Sequence, residues 1–406
     1  MRIVQKFGGT SVAGVERIRH VAELVKASWE QGIETAVVVS AMSGETNRLI
    51  ALANEMMPQA VEREKDALIA TGEQVTASLL AIELHRLGVP AYSYTGLQAG
   101  FITDSQHSRA RILDVQCDHL STHLDAHEVP IVTGFQGANA YGHITTLGRG
   151  GSDTSAVALA IALKADSCDI YTDVDGVYST DPRIVHCAKK LDFISYEEML
   201  EFASLGAKVL ETRSVGLAMR HHMPIHLRSS FHNISGTLVK DEDNNMERAV
   251  ITGVAYNRDE AKITIMGIPD CPGVAAGVLG PIAQASINVD VIVQNVSEER
   301  YNDITFTVPR SDYAQAMHIV TEVSQKLQAR KVLGDETVAK VSIIGVGMRS
   351  HAGVANQMFA TLAKAGINIQ MITTSEIKIT VVICEKQVDD AIKALHTSFD
   401  LDDVTV

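Results

Sequence analysis

The stretch Arg2-Ile3-Val4-Gln5-Lys6-Phe7-Gly8-Gly9-Thr10-Ser11 opens the chain with a short β-rich run that stops at two glycines and two hydroxyl residues. Glycines let a backbone approach a ligand closely, and free N–H groups at the start of a following helix favour anions. Lys6 adds a point charge at the strand end. A capped strand-to-helix turn with no ligand uses the same residues. GxxxxGK[ST] is absent, so the loop is not a Walker P-loop.

Working outward, the pattern repeats. Residues 35–40, 90–95, 130–135, 168–172 and 225–229 are further short apolar runs, as expected of strands buried in a parallel sheet. Between them, Val15, Ile18, Val21, Val25 and Trp29 fall at helical spacing before Gly32, and Val75, Leu79, Leu80, Leu84 and Leu87 before Gly88. Strand–helix alternation predicts an α/β fold, a three-layer αβα sandwich on a mostly parallel sheet. Ligands in such sheets bind beyond the carboxyl ends of the strands.

Composition narrows the function. The 406 residues suggest two or three domains, and 46% apolar with 21% charged residues suits a large core. A formal charge of −14 argues against nucleic acid or an anionic membrane as partner. The five cysteines, Cys117, Cys168, Cys187, Cys271 and Cys384, are widely spaced without a CxxC pair, which reads as reduced thiols. The first residues run straight into a strand, so no signal peptide is expected. No apolar stretch is read as reaching the roughly 18–20 residues of a membrane span. A cytoplasmic location is expected.

Four more segments carry polar chemistry. Residues 40–47, Ser-Ala-Met-Ser-Gly-Glu-Thr-Asn, leave a Val-rich strand, as an ordinary loop or as a second ligand loop. Thr71-Gly72-Glu73-Gln74 precedes an apolar helix, where Glu73 complements the helix dipole or meets a ligand. Leu147-Gly148-Arg149-Gly150-Gly151-Ser152-Asp153 precedes a small-residue helix over 156–163. Arg149 can grip a carboxylate with two parallel hydrogen bonds, or pair with Asp153 in a structural turn. Residues 171–183, Tyr-Thr-Asp-Val-Asp-Gly-Val-Tyr-Ser-Thr-Asp-Pro-Arg, have room to line a nucleotide, or form an acidic surface loop.

The last third repeats itself. Ile265-Met266-Gly267-Ile268 is echoed by Ile343-Ile344-Gly345-Val346, Pro272-Gly273-Val274 by Ala352-Gly353-Val354, and Ser286-Ile287-Asn288-Val289 by Gly366-Ile367-Asn368-Ile369. Two tandem ferredoxin-like βαββαβ units fit the space. The charged run from Lys240 reads as a linker. The expected division is 1–239 for the α/β domain, 240–249 for the linker, 262–336 for the first repeat, and 250–261 with 337–406 for the second.

Five ordered loops and a tandem repeat resemble the amino acid kinase superfamily, specifically the aspartate kinases with their paired ACT regulatory domains. The resemblance implies ATP-dependent phosphorylation of the β-carboxylate of L-aspartate, with ATP and Mg²⁺ required and the Mg²⁺ held mainly by ATP rather than by protein ligands. It implies ATP contacts from Lys6, Phe7, Gly8, Gly9, Thr172, Asp173, Tyr178, Arg183 and Lys208. Aspartate contacts fall to Ser40, Thr46, Glu73, Arg149, Gly150, Gly151 and Ser152, with Lys6 and Asp153 as catalytic residues. Asp270, Gly273, Ala275, Asn288, Gln294, Asn295, Thr374 and Ser375 resemble effector-binding positions, for lysine and/or threonine. Relatives often carry a basic residue where Cys271 stands. A homo-oligomer through the ACT units is implied, and in some relatives a separate regulatory chain, which here would start at Met246. Another carboxylate kinase of the superfamily, or a decayed kinase acting as an amino-acid sensor, are the competing readings. Chemically, the nucleophile is a carboxylate ionised at neutral pH, so no general base is needed. The difficulty is bringing one anion to another, which rests on positioning and on local cations.

Overall fold

The computed structural model describes residues 1–206, 209–242, 249–296 and 301–402. The chain forms two compact units, residues 1–177 with 190–246, and 178–189 with 247–406.

In the first unit the chain runs β1 (Arg2–Phe7), α1 (Val15–Glu30), β2 (Glu34–Val39), α2 (Glu45–Met56), α3 (Glu62–Ile69), α4 (Thr71–Arg86), β3 (Ala91–Tyr94), β4 (Phe101–Thr103), β5 (Ile112–Val115) and α5 (Asp118–Asp125). It continues through β6 (Val129–Thr133), β7 (Gln136–Ala138), β8 (Ile144–Thr146), α6 (Gly151–Ala162), β9 (Ser167–Thr172), β10 (Phe193–Ser195), α7 (Tyr196–Ser204), α8 (Thr212–His221), β11 (Ile225–Ser229) and β12 (Thr237–Lys240). An eight-stranded sheet has the order β10-β12-β11-β9-β1-β2-β6-β3. Every pairing is parallel except β11 with β12. Ile18, Val21 and Val25 of α1 and Leu80 and Leu84 of α4 bury one face against Val37, Val39, Val129 and Ile131. α6 packs on β1, β2 and β9.

The six expected strands are present within a residue or two of their bounds. The small sheet β5-β4-β7-β8 was not expected. Its strands are three or four residues long, too short for a period to show. The reading that no stretch is long and apolar enough to span a membrane needs correction. The helical run of 25 residues Glu62–Arg86 meets that length and composition. Glu73, Gln74 and Glu83 interrupt its apolar character in sequence. In the fold it is a core helix, with Ala77, Leu80 and Leu84 buried.

The second unit contains one antiparallel sheet, β14-β15-β13-β16-β18-β17. Its elements are β13 (Gly253–Pro269), α9 (Val274–Gln284), β14 (Ile292–Val296), β15 (Tyr301–Val308), α10 (Tyr313–Lys326), β16 (Lys331–Ile344), α11 (Val354–Lys364), β17 (Met371–Thr374), β18 (Lys378–Cys384) and α12 (Val388–Ser398). The two long strands are shared. Gly253 to Asn257 of β13 pair with the end of β16, and Lys262 to Met266 pair with its beginning. The first repeat is thus β-α-β-β-α-β, the second has the same six elements but takes one strand from the start of β13, and each has its own core: Ile263, Val278, Ile282 and Phe306 in one, Val341, Met358, Val381 and Ile392 in the other.

One stretch of the span 1–239, residues 178–189, packs with this second unit. Ser179 receives the Val254 N–H at 2.7 Å, and Val185 and Ala188 join the second repeat's core. Lys240, expected to begin a linker, closes β12 opposite Ser195. Residues 243–248 of that linker, Met246 included, lie outside the described residues.

Candidate active site

The carboxyl ends of β1, β2 and β9 and the starts of α4 and α6 meet at one place in the first unit. After β1, the Gly8 N–H donates to the Tyr171 carbonyl at 3.1 Å, and the Ser43 N–H donates to Gly9 at 3.1 Å. A Cβ on Gly9 would lie 2.9 Å from the Ala41 carbonyl oxygen, so only glycine lets the loops after β1 and β2 close this far. Phe7 is buried and stacks on Tyr171, ring centroids 4.7 Å apart.

Lys6 is buried, with Nζ 2.6 Å from Oδ1 of Asp153. Asp153 therefore pairs with Lys6, and not with Arg149 in the structural turn the sequence also allowed. The carboxylate sits in the first turn of α6, which starts at Gly151, well before the expected residue 156. Gly150 caps that helix with φ +63°, in the left-handed region, and a Cβ there would overlap the side chain of Glu211. Ser152 is buried in the same turn, packed on Gly134. Arg149 is exposed on the loop before it.

Glu73 enters from the first turn of α4. Oε1 accepts the Ala41 N–H at 3.1 Å, whereas Oε2 is buried and has no hydrogen-bond partner. Burial pushes the carboxyl up to about 7. A buried carboxylate oxygen without a donor is costly and marks a place for a cation. Ser40 donates its N–H to Phe7, and Thr46 lies in the first turn of α2.

At the end of β9, Thr172 Oγ1 donates to Asp173 at 3.0 Å. Beside it, Ser230 Oγ donates to Ser11 at 2.7 Å, and Arg17 donates to the Ser230 carbonyl at 2.8 Å while lying over the Phe231 ring. Tyr178 and Arg183 belong to the second unit. Arg183 is exposed and pairs with Asp181 at 2.7 Å, and Asp181 also accepts the Tyr256 hydroxyl at 2.9 Å. Lys208 lies outside the described residues.

Sequence reasoning missed Glu211, whose carboxyl is raised by burial and by the Asp153 charge, and Arg213, which donates to the carbonyls of Leu147 and Ala110 at 3.0 and 2.9 Å. Neither sits at a strand end, and nothing local in the sequence marks them. It also missed Ser230 and Phe231, which the strand-end rule applied to β11 would have found.

In the second unit, Asp270 accepts from the buried Asn302 at 2.8 Å, and Asn302 Oδ1 has no partner. Gly273 and Ala275 begin α9, Asn288 lies in the loop before β14, and Gln294 and Asn295 lie on β14. Thr374 ends β17, and the Ser375 N–H donates to Lys378 at 2.8 Å. Asn295 also lines a cavity of about 330 Å³ with Val293, Thr305, Gln370 and Met371.

A glycine cradle at parallel strand ends, with a buried lysine–carboxylate pair, is the architecture whose family model, the amino acid kinase family, matches residues 1–229; an ACT domain model matches 263–323 and 341–399. The aspartokinase of Pseudomonas aeruginosa is 58% identical over 402 residues, covering 98% of each chain, and the aspartate kinase of Pseudomonas putida is 56% identical over 401, again 98% of each. The crystal structure of E. coli aspartokinase III in complex with aspartate and ADP matches with a TM-score of 0.81 at 27% identity, covering 98% of this chain and 99% of that one. The same enzyme in complex with lysine and aspartate matches with a TM-score of 0.79. The chain belongs to the aspartate kinases of the amino acid kinase family.

Proposed function

We propose that this chain transfers the γ-phosphoryl group of ATP to the β-carboxylate of L-aspartate, giving 4-phospho-L-aspartate and ADP, the first step toward lysine, threonine and methionine. The observation that carries this reading is the pairing of two groups at the same strand ends: the Lys6–Asp153 ion pair and the unpartnered Glu73 oxygen. Glu73 receives the α-ammonium and Arg149 the α-carboxylate. Gly150, Gly151 and Ser152 shape the wall around them, with Ser40 and Thr46 on the facing loop. This leaves the β-carboxylate directed at the phosphates.

Lys6, fixed by Asp153, is the cation beside the transferring group. Gly8 and Gly9 bring backbone close to the phosphates, and Thr172 and Asp173 lie on the nucleotide side. Lys208 adds a second cation in this reading. Mg²⁺ carried by ATP neutralises phosphate charge. No side chain removes a proton, because the attacking carboxylate has none to lose. Catalysis rests on holding two anions together and on preorganised positive charge.

The second unit, in this reading, binds lysine and/or threonine at Asp270, Gly273, Ala275, Asn288, Gln294, Asn295, Thr374 and Ser375. It also pairs chains into a homo-oligomer, with or without a regulatory chain starting at Met246. The setting is cytoplasmic. The test uses ATP, Mg²⁺ and L-aspartate, with hydroxylamine to trap the acyl phosphate, repeated with lysine and threonine. Aspartate-dependent hydroxamate supports the reading. Its absence, with ATP and enzyme in order, would replace it with a sensor lacking activity, and hydroxamate from glutamate alone would move it to another carboxylate kinase.

A further inference from the structure

Among the described residues, one group of three His, Cys, Asp or Glu side chains brings its ligand atoms within 4.8 Å of one another: Cys187, His396 and Asp402, all in the second unit. The Cys187 thiol lies 3.1 Å from Asp402 Oδ1, and His396 Nδ1 lies 2.9 Å from the same oxygen. His396 is fully buried on α12, Asp402 half-buried and Cys187 exposed, so the site has a dry inner wall and an open mouth.

The hydrogen bonds around His396 prepare it as a ligand. Its Nε2 lies 2.8 Å from Ser179 Oγ. Ser179 Oγ accepts the Lys189 N–H at 2.9 Å, and the Leu401 carbonyl at 3.4 Å gives its own proton an acceptor. In the metal-free chain Nδ1–H donates to the Asp402 carboxylate; with Nδ1 on a cation, Nε2–H can donate to Ser179. An imidazole whose far nitrogen donates to an oriented partner is the usual second shell of a metal-bound histidine. Ser179, His396 and Asp402 also lie in the order of a nucleophile, base and orienting acid. Ser179 is buried and held by two further bonds, so no substrate reaches it.

We propose that Cys187, His396 and Asp402 bind a soft divalent cation of the zinc class, with the fourth position open to water. One sulfur, one imidazole nitrogen and one carboxylate oxygen form a donor set that favours Zn²⁺ over Mg²⁺ or Ca²⁺. Tetrahedral bonds of about 2.0–2.3 Å require donor separations of roughly 3.3–3.7 Å, which the present spacings reach by shifts of about half an ångström on the two short sides. Binding replaces the Cys187 thiol proton, which is released to solvent, and displaces any proton on Nδ1. The cation would add a tie between residues 178–189 and the chain segment after α12, which already meet through the Ala188–Asp402 bridge and the Ser179–Leu401 and Cys187–Asp402 contacts.

The test loads metal-free full-length protein with Co²⁺ or Zn²⁺ alone. Co²⁺ should give a thiolate-to-metal charge-transfer band and tetrahedral visible bands, at one ion per chain. C187S should remove the charge-transfer band, and C187S and D402N should each weaken Zn²⁺ binding at least tenfold. Cys187 is exposed, so its serine variant keeps the fold where a substitution of buried His396 need not. Zn²⁺ should also raise the thermal midpoint of the unsubstituted chain and leave that of C187S unmoved. Absence of the thiolate band at saturating Co²⁺, or Zn²⁺ affinity unchanged in C187S, overturns the proposal.

Discussion

Glu73 shows how a single residue trades stability for recognition. Its buried carboxyl titrates near 7, about 2.5 units above its ordinary value, because burial penalises the charged form. Between about pH 4.5 and 7 the folded chain holds a proton that the unfolded chain has lost, so stability falls as pH rises through that window. The full effect is roughly 3.5 kcal/mol, at about 1.4 kcal/mol per pH unit. Glu73→Gln removes the titration, so the variant should melt higher than the parent at pH 8, with the gap closing at pH 5, as calorimetry would show. In the proposed reading the same proton governs substrate binding. An α-ammonium needs the ionised form, so kcat/KM for aspartate should drop on the acid side of about pH 7. The Gln variant should lose that limb while its KM for aspartate rises at least tenfold. Gly9→Ala tests space rather than charge. The new methyl meets the Ala41 carbonyl at 2.9 Å, so the loops must part, and kcat/KM for ATP should fall tenfold or more in initial-rate assays. Lys6, Glu73 and Asp153 were legible in sequence because each lies at a strand end or helix start. Their partnership was not, since 147 positions separate Lys6 from Asp153 and only the parallel order β9-β1-β2 brings them together.

At the scale of elements, legibility followed length and period. The strands 2–7 and 168–172 and the helices of the α1 and α4 segments announce themselves by apolar runs or by a 3.6-residue repeat. Strands such as Gln136–Ala138 contain nothing apolar enough to register, and α6 began earlier than expected because Gly150 and Gly151 read as loop. Those glycines start a helix whose first turn carries Asp153, and the loop before it is held from outside by Arg213. One guanidinium binds the carbonyls of Leu147 and Ala110 together, pinning the 147–151 segment to the chain just before β5. Arg213→Ala leaves both half-buried carbonyls without that donor, at a cost of roughly 1–3 kcal/mol. The loop that presents Arg149 should then wander. The expected result is a KM for aspartate raised five- to fiftyfold and a KM for ATP changed less than threefold, with Arg213→Lys recovering part of the aspartate term. Equal losses in both would show that Arg213 supports the whole sheet and not this loop.

The whole chain carries −14 yet is built to handle two anions, and the contrast locates its control. The net field is negative, so the site relies on local cations such as Lys6, and activity depends on loop positions more than on bulk field. The polypeptide itself connects the two units beside one of those loops: after β9 it leaves the first unit at Val177, contributes residues 178–189 to the second, and returns at Lys190. Residues 178–189 are anchored by Ser179 and by Val185 and Ala188 in the second repeat's core, so a ligand that repacks that core acts on a segment covalently next to Thr172 and Asp173. Coupling of this kind is a free energy shared by both sites, and it is reciprocal. If lysine or threonine lowers affinity for aspartate tenfold, saturating aspartate must weaken that effector tenfold, about 1.4 kcal/mol in either direction. Calorimetric titration of the effector into full-length protein with and without aspartate, and of aspartate with and without effector, all without ATP, measures both arms. Val185→Ala, which loosens the anchor and touches neither ligand in this reading, should shrink the two factors together while leaving kcat without effector within about twofold. Coupling factors that Val185→Ala leaves unchanged would remove the chain crossing at 178–189 as the route of control.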